Sequence, residues 1–326
     1  MTDPLNVAIV AGGTAGVGRA VVSKLLDQGY KVGVLARGQD RLDEMAAEYG
    51  EQVMALRCDV SDAEATSRAA TAIEEALGPV SVWVNSAMLT SFSPFPLMQP
   101  DEFKQIVNTT LIGVVNGTRA ALALMEHRNK GRIINIGSGL GYRSVPYQSA
   151  YCASKHGVNG FTAAIRSELI REGAQITISV VQMPALNTPQ FDWALNRLSK
   201  KPQPAPPVFQ PETAATAVMR AIGEGKREYF VGASVLQLVF GNMVLPNWLD
   251  RKLADSGAEM QKSDINEPGG RENNLTEPVA AMDARARGRF GAQAKDKALI
   301  VDADHARIAA LVALATVGLC VGLLLG

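Results

Sequence analysis

Tyr151 and Lys155 stand four residues apart in a stretch, from residue 149 onward, whose periodicity predicts a helix of about twenty residues. Both therefore fall on one helical face. A phenol and an ammonium held side by side suit proton transfer. Free tyrosine has a pKa of about 10, so about one molecule in a thousand is ionised at neutral pH. A fixed positive charge within a few ångströms favours the phenolate and pulls that pKa towards the working range. Ser138, at the end of a predicted strand over 132–137, is placed to hold a substrate oxygen while Tyr151 gives or takes the proton. Tyr-x-x-x-Lys alone is more often a half-buried ring beside a solvated amine, so the set gains its meaning from what surrounds it.

The elements that must position these groups begin at the N-terminus. An apolar run over 7–11 stops at Gly12-Gly13-Thr14-Ala15-Gly16-Val17-Gly18, and helical periodicity follows over 19–28. Strand, glycine turn and helix together aim backbone N–H groups and a helix N-terminus at a phosphate. Strands over 31–36, 52–58 and 80–84 then alternate with helices over 40–49 and 62–77. A long helical region spans 100–128, further strands are expected over 175–182 and 228–231, and a helix over 212–222. About seven strands joined by helices imply an α/β fold, a Rossmann-like doubly wound parallel sheet with ligands at the carboxyl ends of its strands.

Residues at those strand ends are candidates for specificity. Arg37 follows the second strand, where an NAD site usually places an acid against the ribose 2′-hydroxyl. A planar guanidinium there suits the 2′-phosphate of NADP instead, so NADP(H) is expected over NAD(H). Asp59 and Val60 follow the third strand, and Asn85, Ser86 and Ala87 the fourth. The segment over 189–211, first aromatic and then rich in proline, reads as a substrate-covering loop or a plain spacer.

Composition narrows the class. Acidic and basic residues balance at 32 each in 326 residues, so no charge surplus points to nucleic acid. Cys58, Cys152 and Cys320 have neither disulfide nor zinc spacing, and no metal site is expected. The start shows no charged leader and apolar core, so export is not expected. Residues 308–326 are different: nineteen positions without a charge, long enough as a helix to reach about 28 Å against a hydrocarbon core of roughly 30 Å. The expected organisation is a nucleotide-binding catalytic domain over 1–255, a loosely structured polar tether over 256–306, and a single transmembrane anchor over 307–326 that leaves the catalytic domain in the cytoplasm. The other reading of 308–326 is a core or oligomer-interface helix of a soluble enzyme. The apolar stretch over 235–253 either docks on the core or lies on a membrane surface.

Taken together, these pieces resemble the short-chain dehydrogenase/reductase family over about residues 5–232. The likeness rests on Gly12, Gly16 and Gly18 in the turn, Asp59 and Val60 for the adenine, and Asn85 with Ala87 after the fourth strand. It rests also on Ser138, Tyr151 and Lys155, and on Pro184 and Thr188 for the nicotinamide carboxamide. The resemblance implies that Tyr151 is the general acid or base, that Lys155 lowers its pKa and holds the nicotinamide ribose, and that Ser138 orients the carbonyl or hydroxyl. Thr14 and Val17 belong to the same phosphate turn. Departures are Ala11 where many relatives have Thr, and Met88 where many have Gly. The helical Asn that relays protons in many members is a further departure: its position falls on Thr110, the nearest asparagine, Asn108, sits about 200° away on a regular helix, and the relay falls to Thr110, to a water, or to Asn108 if the helix is locally distorted.

The resulting expectation is a membrane-tethered NADP(H)-dependent oxidoreductase interconverting a ketone or aldehyde with an alcohol. Its substrate would be lipophilic, with Met88, Met183, Phe191 and Trp193 near the pocket. A non-catalytic nucleotide sensor or scaffold at the membrane is the alternative. Family members often pair through their long helices, so a homo-oligomer is a further expectation.

Overall fold

The computed structural model describes residues 6–267, 269–279 and 285–325, and in the last stretch the side chains of 314 and 317–325 lie outside the described residues. Its centre is an eight-stranded sheet made of β1 (Val7–Ala11), β2 (Lys31–Ala36), β3 (Val53–Arg57), β4 (Val80–Asn85), β5 (Gly131–Ser138), β6 (Ile176–Met183), β7 (Glu228–Val231) and β8 (Ile300–Asp302). The spatial order is β8-β7-β6-β5-β4-β1-β2-β3. All neighbours are parallel except β8, which runs antiparallel to β7 and pairs Asp302 with Tyr229 and Ile300 with Val231.

Alternation along each strand builds two cores. Ala8 and Val10 face one helical layer, made of α1 (Gly16–Asp27), α2 (Gln39–Tyr49) and α8 (Pro211–Glu224). Val7 and Ile9 face the other, made of α3 (Ala63–Leu77), α5 (Gly113–Met125) and α6 (Ser149–Arg171). Strand order reverses between β1 and β4, and the crevice beyond their carboxyl ends is where such sheets bind ligands.

The region between α4 (Pro100–Val107) and α5 is not one regular helix. Residues Asn108–Ile112 form a π-turn, whose extra residue resets the register of the side chains that follow. Four-residue α7 (Gln190–Trp193) opens the proline-rich segment. Beyond β7, α9 (Ala233–Val244) docks through Val235 and Val239 beside Phe230 and Ala303. The corner between α9 and α10 (Pro246–Lys252) leaves Met243, Val244, Leu245 and Trp248 exposed.

Two sequence expectations are corrected here. The sheet has eight strands rather than about seven, because residues 300–302 return to its edge. The described part of 256–306 is not a loose tether, and the domain does not end at 255. Lys262–Asn266 pairs antiparallel with Lys200–Pro202, and Ala294–Lys295 pairs with Val208–Phe209. A few buried apolar residues, Leu275, Val279 and Phe290, anchor a chain that is otherwise polar. The last helix, α11, runs over Ala303–Leu325. Among the described residues no helix is long and apolar enough to cross a membrane. Most of the expected anchor over 308–326 lies at positions whose side chains are outside the described residues.

Candidate active site

The glycine turn is built by close backbone approach. Gly12 has φ +82°, and a Cβ on it would meet the backbone of Ala87 at 2.6 Å. A Cβ on Gly18 would stand 2.0 Å from the Gly12 carbonyl oxygen. Gly18 therefore shapes the turn from inside α1 and does not line the cleft, whereas Gly12, Thr14, Gly16 and Val17 do. This is a cradle that side chains would fill, and it suits the diphosphate of a dinucleotide.

One cavity of about 720 Å³ runs from that turn to α9 and α10. Such a volume is in the range of cofactor and substrate sites. It brings together Arg37, Asp59, Val60, Ala87, Ser138, Tyr151, Lys155, Pro184 and Thr188 on its wall. Met88, Met183, Phe191 and Trp193 line it too, as does the segment 203–207, so the aromatic and proline-rich stretch covers the cleft as well as connecting elements.

At its floor, the Ser138 hydroxyl accepts the Leu140 N–H at 3.1 Å, and Tyr151 lines the same wall of the cavity. Lys155 is buried and donates from Nζ to the Ile136 carbonyl oxygen at 2.6 Å. Burial pushes the Lys155 ammonium down to about 8. Burial also pushes the Tyr151 phenol well above its ordinary range, and the nearby Ser138 side chain offsets only part of this. For the protein by itself the phenol's position is set by burial, which raises it, against Ser138, which lowers it. A phenol that keeps its proton is suited to donate it to a developing alkoxide.

Asn85 is a second correction. Its side chain does not line the cleft. It accepts from Trp83 Nε1 at 2.7 Å and donates to Asn135 Oδ1 at 2.8 Å, inside the layer between β4, β5 and α5. Period-two alternation puts it on the same face as Trp83.

Neither relay candidate reaches the cleft. Thr110 Oγ1 accepts the Leu89 N–H at 2.9 Å and donates to the Leu89 carbonyl at 3.0 Å, while Asn108 is exposed. The π-turn instead presents Thr109, whose buried Oγ1 has no protein partner and which lines the cavity.

Arg37 lies where expected, after β2, but its donors are engaged. Its guanidinium donates to the carbonyls of Asn274 at 2.6 Å, Leu275 at 3.1 Å and Thr276 at 3.0 Å. Arg41, unremarked in the sequence, donates to the Val279 carbonyl and stacks 4.6 Å from the Trp193 ring centroid. Pro278 rests against Gly38, and the Gly16 N–H donates to the Arg285 carbonyl at 3.0 Å. Residues 274–279 thus lie across the cleft beyond β2, and Arg285 lies against the glycine turn.

Comparison with known proteins agrees with this geometry. A family model described as short chain dehydrogenase matches residues 6–196. An uncharacterized oxidoreductase of Bacillus subtilis (strain 168), YxnA, is 28% identical over 251 residues, 76% of this chain and 70% of the relative. Acetoacetyl-CoA reductase of Shinella zoogloeoides is 36% identical over 54% of this chain and 72% of its own length. The 3-oxoacyl-[acyl-carrier-protein] reductase MabA of Mycobacterium tuberculosis (strain ATCC 25618 / H37Rv) is 35% identical over 55% of this chain and 69% of that one. Among solved structures, a short-chain dehydrogenase from Streptomyces avermitilis has a TM-score of 0.66 at 24% identity, covering 78% of this chain and 100% of its own.

Proposed function

Because the chain belongs to the short-chain dehydrogenase/reductase family and is an oxidoreductase of that kind, we propose that it is an NADP(H)-dependent enzyme interconverting a lipophilic ketone or aldehyde with its alcohol. The observation that carries this reading is the convergence of Ser138, Tyr151 and buried Lys155 on the wall of the same cavity as the glycine turn.

The glycine turn, Asp59, Val60, Ala87, Pro184 and Thr188 would hold the dinucleotide, and Arg37 would face its 2′-phosphate. When bound, the nicotinamide supplies the hydride. Ser138 orients the carbonyl oxygen, and Tyr151 donates its proton to that oxygen in reduction and accepts it in oxidation. Lys155 keeps a positive charge near the phenol and positions the cofactor's ribose. A lipophilic substrate is supported by the apolar continuation of the cavity along Val235, Leu238, Trp248, Leu249 and Leu253. Two relatives named as reductases of acetoacetyl and 3-oxoacyl thioesters fall within the same carbonyl class.

The test is NADPH oxidation with a panel of hydrophobic ketones and 3-oxoacyl thioesters. Tyr151→Phe is expected to lower kcat by about 10²–10⁴-fold; equal rates in the two proteins remove the catalytic assignment.

We further propose that residues 308–326 anchor the protein to a membrane with the catalytic domain on the cytoplasmic side. Support comes from the uncharged run itself and from the exposure of Ile308, Leu311 and Val312 where it begins. Deleting 308–326 should move the protein from the membrane to the soluble fraction. Unchanged partitioning would favour an interface helix instead.

A further inference from the structure

The cofactor reading leaves one feature unexplained: the residue suited to the 2′-phosphate already has partners. Three backbone carbonyls, from Asn274, Leu275 and Thr276, converge on the Arg37 guanidinium. Glu277, exposed beside them, adds its negative charge to the same attraction. The stretch that carries them is fixed at both sides. On one side Leu275 is buried among Leu89, Met98, Ile106 and Leu195, in the cluster that also packs against Tyr151, and the Asn274 N–H donates to the Trp193 carbonyl at 2.9 Å. On the other, Pro278 rests on Gly38 and the Val279 carbonyl accepts from Arg41. Asn274 and Pro278 form part of the cavity wall, so the stretch bounds the space in which the adenosine half of a dinucleotide would lie.

Building on the NADP(H) reading, we propose that residues 274–279 are a cofactor-selecting latch: their carbonyls and the 2′-phosphate of NADP(H) compete for the Arg37 guanidinium, so NADP(H) binds with the latch released and NAD(H) binds beneath it.

The chemistry of the competitors sets the direction. A guanidinium meets a full opposite charge on a phosphate and only a neutral dipole on a carbonyl, and its fork geometry fits phosphate oxygens. A ribose 2′-hydroxyl brings no charge and cannot displace three carbonyls. A phosphate brought to Arg37 meets the Asp59 carboxylate on the cavity wall and the Glu277 carboxylate on the latch, and only the second repulsion pushes the latch away. The latch therefore responds to one substituent of the cofactor and is indifferent to the rest.

Hydrogen–deuterium exchange of the full chain reads this directly, using NADP⁺, NAD⁺, adenosine 2′,5′-bisphosphate and 5′-AMP as probes. NADP⁺ and the 2′,5′-bisphosphate are expected to speed exchange in the peptide spanning 271–279 by about tenfold or more, the scale of losing one or two hydrogen bonds. NAD⁺ and 5′-AMP should leave it at or below the ligand-free rate. Arg37→Ala should exchange fast without ligand and lose the distinction between nucleotides. Should that variant fold poorly, Glu277→Gln keeps the test open, because it alters an exposed side chain. It should tighten NADP⁺ binding, measured by calorimetry, roughly twofold to fivefold and leave NAD⁺ binding unchanged. The proposal is overturned if NADP⁺ slows exchange over 271–279 as much as NAD⁺ does, or if Glu277→Gln weakens NADP⁺ or leaves its affinity unchanged. In those outcomes the nucleotides still bind and the oxidoreductase reading stands. Failure of every nucleotide to bind would remove that reading and the latch with it.

Discussion

Lys155 Nζ sits 5.6 Å from the centroid of the Tyr151 ring, and it is held there by the Ile136 carbonyl rather than by a carboxylate. The ammonium is thus buried with a neutral partner. That arrangement is expensive in stability and useful in chemistry, because the charge is left to act on whatever occupies the cleft.

A lysine pushed down to about 8 by burial, from an ordinary value of 10.5, opposes folding when charged. The sign follows from linkage. Between pH 8 and 10.5 the unfolded chain carries a proton at this site that the folded chain has lost, so stability from this group rises with pH across that window. Below pH 8 the burial cost is felt in full. Lys155→Met is therefore expected to melt at a higher temperature than wild type at pH 7, by a stability difference on the order of 3 kcal/mol. That advantage should narrow towards pH 10, with turnover lost throughout. Thermal denaturation of both proteins from pH 7 to 10 checks it; a variant that melts lower at pH 7 would refute the assignment.

Gly18→Ala tests the turn. Its new methyl would need the position of the Gly12 carbonyl oxygen, 2.0 Å away, and both partners are backbone. Either α1 or the turn must shift. The expected outcome is a loss of roughly 2–4 kcal/mol and of nucleotide binding, read by chemical denaturation and by fluorescence titration. Gly29→Ala, where nothing lies within 4 Å but φ is +81°, should cost only about 1 kcal/mol and leave binding intact.

Behind the serine lies a polar network. The Ser138 N–H donates to Gln182 Oε1 at 2.8 Å, Gln182 Nε2 donates to Glu228 Oε1 at 2.8 Å, and Arg307 pairs with Glu228 Oε2 at 2.6 Å. Glu228 is buried and Arg307 is not fully so, which discounts the pair relative to a wholly buried one. Arg307→Ala is expected to cost about 1–2 kcal/mol, and Glu228→Ala more, because it also strips partners from Gln182 and from the Tyr142 hydroxyl. Glu228→Gln should recover part of the difference. Urea denaturation of the three variants gives the ranking.

Much of this architecture could be read from residue patterns alone. The glycine turn between β1 and α1, the Tyr151–Lys155 face of α6 and the parallel sheet all follow from periodicities that a chain displays openly. Asn85 was misassigned because a strand end indicates position along the sheet but not which face a side chain takes, and Trp83 two residues earlier holds the answer. The π-turn at Asn108–Ile112 carries no residue signal, so Thr109 could not be distinguished from Thr110. The C-terminal region was hardest. Arg37 and Arg41 hold it by its backbone carbonyls and its own Arg271 donates to the Ala194 carbonyl, a group present at every residue and hence invisible to composition.

β8 carries a practical lesson for trimming this chain. Only three residues long, it caps the exposed hydrogen-bonding edge of β7, whose Tyr229, Phe230 and Val231 are wholly buried. A shortened protein ending near residue 255 would uncover that apolar ribbon and offer it to other molecules as a template for aggregation. Retaining the chain through Arg307 keeps the rim of the sheet sealed.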